Sequence, residues 1–185
     1  MENIKQASSK LNQETEIKLM GCDPSLTATG LAIISLKGIK ETTVLKMKPV
    51  KKGQKDPRFN LIVEAVKAFL IANQPDGLAI ETQYINPRTI FGAMKTIEIK
   101  GAIQALFISY CLERGIEPMI FNVTPLEAKQ TVGATGKFKN RKESKIIVRK
   151  KIIEKFPSMR NKTEDEMDAV AIGITGLVKL AANKI

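Results

Sequence analysis

Three apolar, strand-like segments crowd the first quarter of the chain, joined by turns too short for anything but reversals. Ile17–Asp23 alternates Ile17, Leu19 and Gly21 against Lys18, Met20 and Cys22. Thr29–Leu36 follows the Asp23-Pro24-Ser25 turn, and Thr42–Met47 follows Lys37-Gly38. Such spacing dictates an antiparallel meander. The pattern then changes. Asp56 opens a helix to about Asn73, with Pro57 at its first position and an apolar face of Leu61, Ile62, Ala65, Val66, Phe69 and Leu70. A short strand, Leu78–Glu81, precedes a helix from about Arg88 to Arg114, whose apolar positions include Ile97, Gly101, Ile103, Ala105, Leu106 and Ile108. Met119–Val123 is a fifth strand. Thr124 with Glu127 forms a capping box for a helix ending near Gly133, and further helices span Arg141–Phe156 and Thr163 to about Asn183. Right-handed crossovers place the fourth strand beside the first. The expected fold is α/β: a five-stranded mixed sheet in the order 3-2-1-4-5 with helices on both faces.

The 185 residues suit one domain, from 17 to 185, preceded by a polar stretch of mixed charge, 1–16, read as a flexible extension. No apolar run approaches the ~20 residues of a membrane span, and no signal-peptide core is present. A cytoplasmic protein is expected. Cys22 and Cys111 fall inside apolar elements and read as buried, reduced thiols. The formal net charge of +11 favours a polyanionic partner. The chain has no histidine, which removes His-dependent acid–base catalysis and His metal ligands. The chemistry left to it runs on carboxylates, hydroxyls, lysines or a metal.

Four carboxylates stand where an apolar core should not tolerate them. Asp23 and Glu81 end apolar strands, at the neighbouring carboxyl ends where open α/β sheets bind ligands. Asp23 alone could be an ordinary turn residue before Pro24. Glu81 is harder to explain, because no obvious turn follows Leu78-Ala79-Ile80. Thr163 and Glu166 make a second capping box, and helix-end electrostatics account for Glu164 and Glu166, and in part for Asp165. They do not account for Asp168, which opens the apolar run Ala169–Val178; Asp165 shares its face. Converging oxygen donors without His or paired Cys select Mg²⁺, with Mn²⁺ able to substitute, over Zn²⁺. The arrangement suits two such ions about 3.5–4 Å apart clamping a phosphodiester.

Gly21-Cys22-Asp23-Pro24 with Thr29-Gly30, Ala79–Tyr84, Ala128–Gly136 and Asp165–Ile172 resemble, in that order and at similar intervals, the RuvC family of Holliday-junction resolvases within the RNase H-like superfamily. The resemblance covers nearly everything from Ile17 to Ala181. It implies an RNase H-like domain, a homodimer acting on four-way or otherwise branched DNA, and Asp23, Glu81, Asp165 and Asp168 as metal-binding catalytic acids. It also implies that Tyr84 stacks on an opened base and that Lys129 and Lys142 hold DNA near the site; Arg88, four residues after Tyr84, is placed to flank it. The chain departs from the family at Ser25, where glycine is usual, and in residues 1–16 and 48–55. These departures point to a phage-type or divergent member, placed in the nucleoid or a host's cytoplasm.

Lys137, Lys139, Arg141, Lys142, Lys145 and Arg149 crowd one loop and helix. A solvated helix face would also be lysine-rich, but here only Glu143 interrupts the density, which favours phosphate contacts. The expected activity is metal-dependent hydrolysis that resolves a junction by symmetric paired nicks, with room for a branch-migration motor as a further partner. A broader branched-DNA or RNA/DNA-hybrid nuclease and a non-catalytic junction-binding scaffold are the rival readings.

Overall fold

The computed structural model describes residues 16–51, 56–82, 90–136 and 138–182. The side chains of residues 90–93 and 141 also lie outside the description. The elements are β1 (Leu19–Asp23), β2 (Ala28–Ser35), β3 (Gly38–Lys46), α1 (Arg58–Asn73), β4 (Gly77–Glu81), α2 (Ile90–Glu113), β5 (Met119–Val123), α3 (Pro125–Val132), α4 (Arg141–Lys155), a 3₁₀ turn (Pro157–Asn161) and α5 (Glu164–Ala182). They build one five-stranded sheet in the order β3-β2-β1-β4-β5. β1 pairs antiparallel with β2 and parallel with β4, and β5 continues the parallel half. The expected topology is the observed one.

Each face of the sheet buries a separate core. Met20, Cys22, Leu31, Ile33, Leu78 and Ile80 pack against Ile62, Val66, Phe69 and Leu70 of α1 and Ile99, Ile103 and Phe107 of α2. Ala32, Ile34, Ala79 and Val123 pack against α3, α4 and α5. Both cysteines are buried and free.

Some local expectations shift. Pro57 caps α1 instead of filling its first helical position. β3 starts at Gly38, four residues earlier than its apolar run, because a half-exposed edge strand needs no apolar alternation. Leu61, Ile97 and Ile108, expected on buried faces, are exposed, and so are Gly101 and Ala105. The buried face of α4 is Ser144, Val148 and Ile152, four residues apart. Both capping boxes form: Thr124 with Glu127, and Thr163 with Glu166, whose carboxylate accepts from the Thr163 amide at 2.9 Å.

Helix α5 is buried nearly all round from Glu166 to Gly176, and glycines set how close it lies. A Cβ on Gly21 would stand 2.1 Å from the Ala169 carbonyl oxygen, and one on Gly176 would stand 2.6 Å from the Ala79 methyl. The helix therefore runs antiparallel to β1, and its first turn comes to the carboxyl ends of β1 and β4.

Candidate active site

Strand alternation aims the first two acids. Gly21 and Ala79 meet α5, so Asp23 and Glu81, two residues further on, face the same side. Asp23 pairs with Gly30 of β2. A Cβ on Gly30 would stand 2.1 Å from the Asp165 carbonyl oxygen, so glycine here lets the first turn of α5 settle onto the end of β1. Asp165 and Asp168 reach the site on that turn.

The four acids share one electrostatic neighbourhood. Burial, then the fields of Glu81, Asp168 and Asp165, push the Asp23 carboxyl up to about 8, against the opposing pull of Lys145. The Lys145 ammonium lies 3.8 Å from an Asp168 oxygen and 2.7 Å from Glu164. Beside these acids opens a cleft of about 290 Å³, lined by Glu81, Asp168, Lys129, Lys145 and the apolar Ala128, Val148, Ala171 and Ile172. Its walls thus carry two carboxylates and two ammonium groups.

The donor chemistry fits a hard divalent cation. All four candidates are oxygen donors, and a cation would relieve the crowding that pushes the Asp23 carboxyl up. Among the described residues no three acids already stand as a finished ligand cage.

The expected basic residues divide. Lys129 and Lys145 line the cleft, with the Lys129 ammonium 6.0 Å from the centre of the Phe138 ring. Lys139 and Lys142 are exposed at the start of α4. Arg149 turns inward, donating to the Arg160 carbonyl at 2.6 Å and the Lys162 carbonyl at 3.0 Å, so its guanidinium ties α4 to the 3₁₀ turn. Tyr84, Arg88 and Lys137 lie outside the described residues, as does the Arg141 side chain at the first position of α4. The sequence reading missed two contributors to this region. In the sequence, Gly30 is no more than part of a motif. Lys100 of α2, which donates to the Thr82 hydroxyl at 3.4 Å, was not singled out; its only signal is a lysine set between Ile99 and Ile103.

A mixed 3-2-1-4-5 sheet with helices on both faces, and acids at the ends of its first and fourth strands, is an RNase H-like fold. The sequence model of one family within that class, described as crossover junction endodeoxyribonuclease RuvC, matches residues 19–176. The chain belongs to the RuvC family. It is 28% identical over 162 residues to the RuvC endodeoxyribonuclease of Natranaerobius thermophilus, covering 84% of this chain and 91% of that one. It is 25% identical over 164 residues to that of Paenarthrobacter aurescens, covering 86% and 80%. Its fold is similar to T. thermophilus RuvC in complex with a Holliday junction substrate, with a TM-score of 0.63, 21% identity and coverage of 89% and 96%. It is also similar to the yeast mitochondrial Holliday junction resolvase, with a TM-score of 0.59, 14% identity and coverage of 90% and 80%.

Proposed function

We propose that this protein is a metal-dependent endonuclease that resolves Holliday junctions by symmetric paired nicks. The observation that carries the proposal is the gathering of Asp23, Glu81, Asp165 and Asp168 at one sheet end, beside a cleft that Lys129 and Lys145 help line. A purely binding surface gains nothing from gathering carboxylates where phosphates must lie. Asp23, Glu81 and Asp168 are the residues to hold the ions; Asp165 completes the set or orients the attacking water. When held there, two Mg²⁺ ions, or Mn²⁺ in their place, would supply water activation and charge stabilisation at the leaving oxygen. Lys129 and Lys145 bind the scissile strand's phosphates from α3 and α4, while Lys139 and Lys142, with Lys137 and Arg141, extend that contact along the DNA. Tyr84 is proposed to stack on an opened base beside Arg88.

A two-fold dimer presents two such sites to a four-way junction. Met94, Ile97, Gly101, Ala105, Ile108 and Leu112 form an exposed stripe of small and apolar residues along α2, spaced three and four apart, which suits pairing with a second copy. The proposed setting is the cytoplasm, with DNA as partner and a branch-migration motor able to work alongside.

The test is a Mg²⁺ cleavage panel of mobile four-way junctions, forks, linear duplexes and RNA/DNA hybrids. Two nicks at symmetric positions on opposing junction strands are expected. Preferred cleavage of hybrids or forks would support the broader nuclease, and no nicking with either metal would support the scaffold.

A further inference from the structure

Seven lysines among the described residues are half-buried, and five of them have an anionic or carbonyl partner. Lys145, Lys151, Lys162 and Lys179 pair with carboxylates at 2.7–3.0 Å, and Lys18 donates to the Asn73 carbonyl at 2.6 Å. Lys129 and Lys100 are the other two. Lys129 rests near an aromatic ring and lines the cleft beside Glu81. Among the described residues, Lys100 has only the Thr82 hydroxyl, at 3.4 Å. Thr82 follows Glu81 directly and is fixed in turn, its amide donating to the Val123 carbonyl at 2.7 Å.

Alternation puts these two lysines on opposite sides of Glu81. Ala79 faces α5, as does Glu81 after it, whereas Leu78 and Ile80 face α1 and α2, and Thr82 continues that side. Lys100 therefore stands across the sheet end from Lys129 and Lys145, held there by the buried Ile99 and Ile103 that flank it on α2. Burial lowers its pKa, with no compensating carboxylate among the described residues. A half-desolvated ammonium with one long, neutral hydrogen bond is an under-satisfied cation, and an anion brought to it recovers the lost solvation.

We propose that the Lys100 ammonium grips a phosphate of the DNA backbone, closing the site from the side opposite Lys129 and Lys145. This rests on the reading of the protein as a junction endonuclease. It assigns α2 a direct part in binding, apart from the proposed dimer stripe on its exposed face.

The experiment is a salt titration of binding to a labelled four-way junction with Ca²⁺ in place of Mg²⁺, for the wild type, Lys100→Met and Lys100→Arg. Methionine keeps the apolar stem and removes the charge. Lost counterion release lowers the slope of log affinity against log salt by about 0.9 for one phosphate. Lys100→Met is expected to show that loss, with several-fold weaker binding and an unchanged Tm, and Lys100→Arg to restore the slope. An unchanged slope in Lys100→Met overturns the proposal, whether or not Tm falls. A wild type that does not prefer the junction over linear duplex overturns the endonuclease reading and this inference together, whereas an unchanged slope beside intact wild-type preference overturns this inference alone.

Discussion

Glu166 is held at about 2 and Asp23 is pushed up to about 8, although both carboxylates lie in the seam between α5 and the sheet. Burial raises both. At Glu166 it is outweighed by the Thr163 amide, the Lys162 ammonium at 3.0 Å, the Thr42 hydroxyl at 2.8 Å and the Thr163 hydroxyl at 3.0 Å. At Asp23 the strongest neighbours are three more acids, and Lys145 opposes them only in part. One region commits its polar contacts to holding the helix; the other gathers like charges, which the proposed function assigns to a cation and a substrate. On the proposed reading, the contrast separates an acid that serves the fold from one that serves chemistry.

Substitutions can break this contrast from either side. The largest effect is expected at Asp168 and Asp23. Asn at either position should lower junction cleavage by about 10³-fold or more, equivalent to about 4 kcal/mol of transition-state stabilisation, with junction binding largely retained in a gel-shift assay. Glu166→Ala should do the reverse. It should cost roughly 2–3 kcal/mol in urea unfolding at neutral pH, with cleavage per folded molecule held within a few fold. The sign follows from linkage. A carboxyl lowered from 4.5 to about 2 stabilises the fold fully above its unfolded pKa and loses that contribution as pH falls towards 2, so the gap between variant and wild type should close on acidification.

Gly30→Ala tests the seam itself. Its Cβ meets the Asp165 backbone at 2.1 Å, which should cost about 1–3 kcal/mol and reduce cleavage by moving the first turn of α5. The smallest expected effect is on metal affinity. With Asp23 as a ligand, as proposed, cation binding displaces its proton, so Mg²⁺ affinity, followed by calorimetry, should strengthen as pH rises towards 8 and flatten above it.

The fold was legible because the succession of elements admits few topologies: three short-linked strands, then crossovers, lead to 3-2-1-4-5. Which helix face is buried was less so. Leu61 and Ile62 are equally apolar, and only packing on the sheet decides that Ile62 goes in and Leu61 stays out. Within the site, Glu81 and Asp168 announced themselves by interrupting apolar runs. Gly30 could not, because the atom that forbids its side chain belongs to Asp165, 135 residues further along the chain. Arg149 read as one of a row of cations, since nothing local shows that two carbonyls near the 3₁₀ turn engage it.

The central claim, that Asp23 serves chemistry at the expense of the fold, is tested most directly by urea unfolding of wild type and Asp23→Asn at pH 8.5 without metal, beside their cleavage rates with Mg²⁺. A carboxyl raised in the folded state favours the protonated form, so the metal-free wild type loses stability as pH rises from about 4 to about 8. The prediction is an Asn variant that is more stable than wild type at pH 8.5 and unable to cut a junction. A variant that is less stable than wild type and still cuts would contradict it.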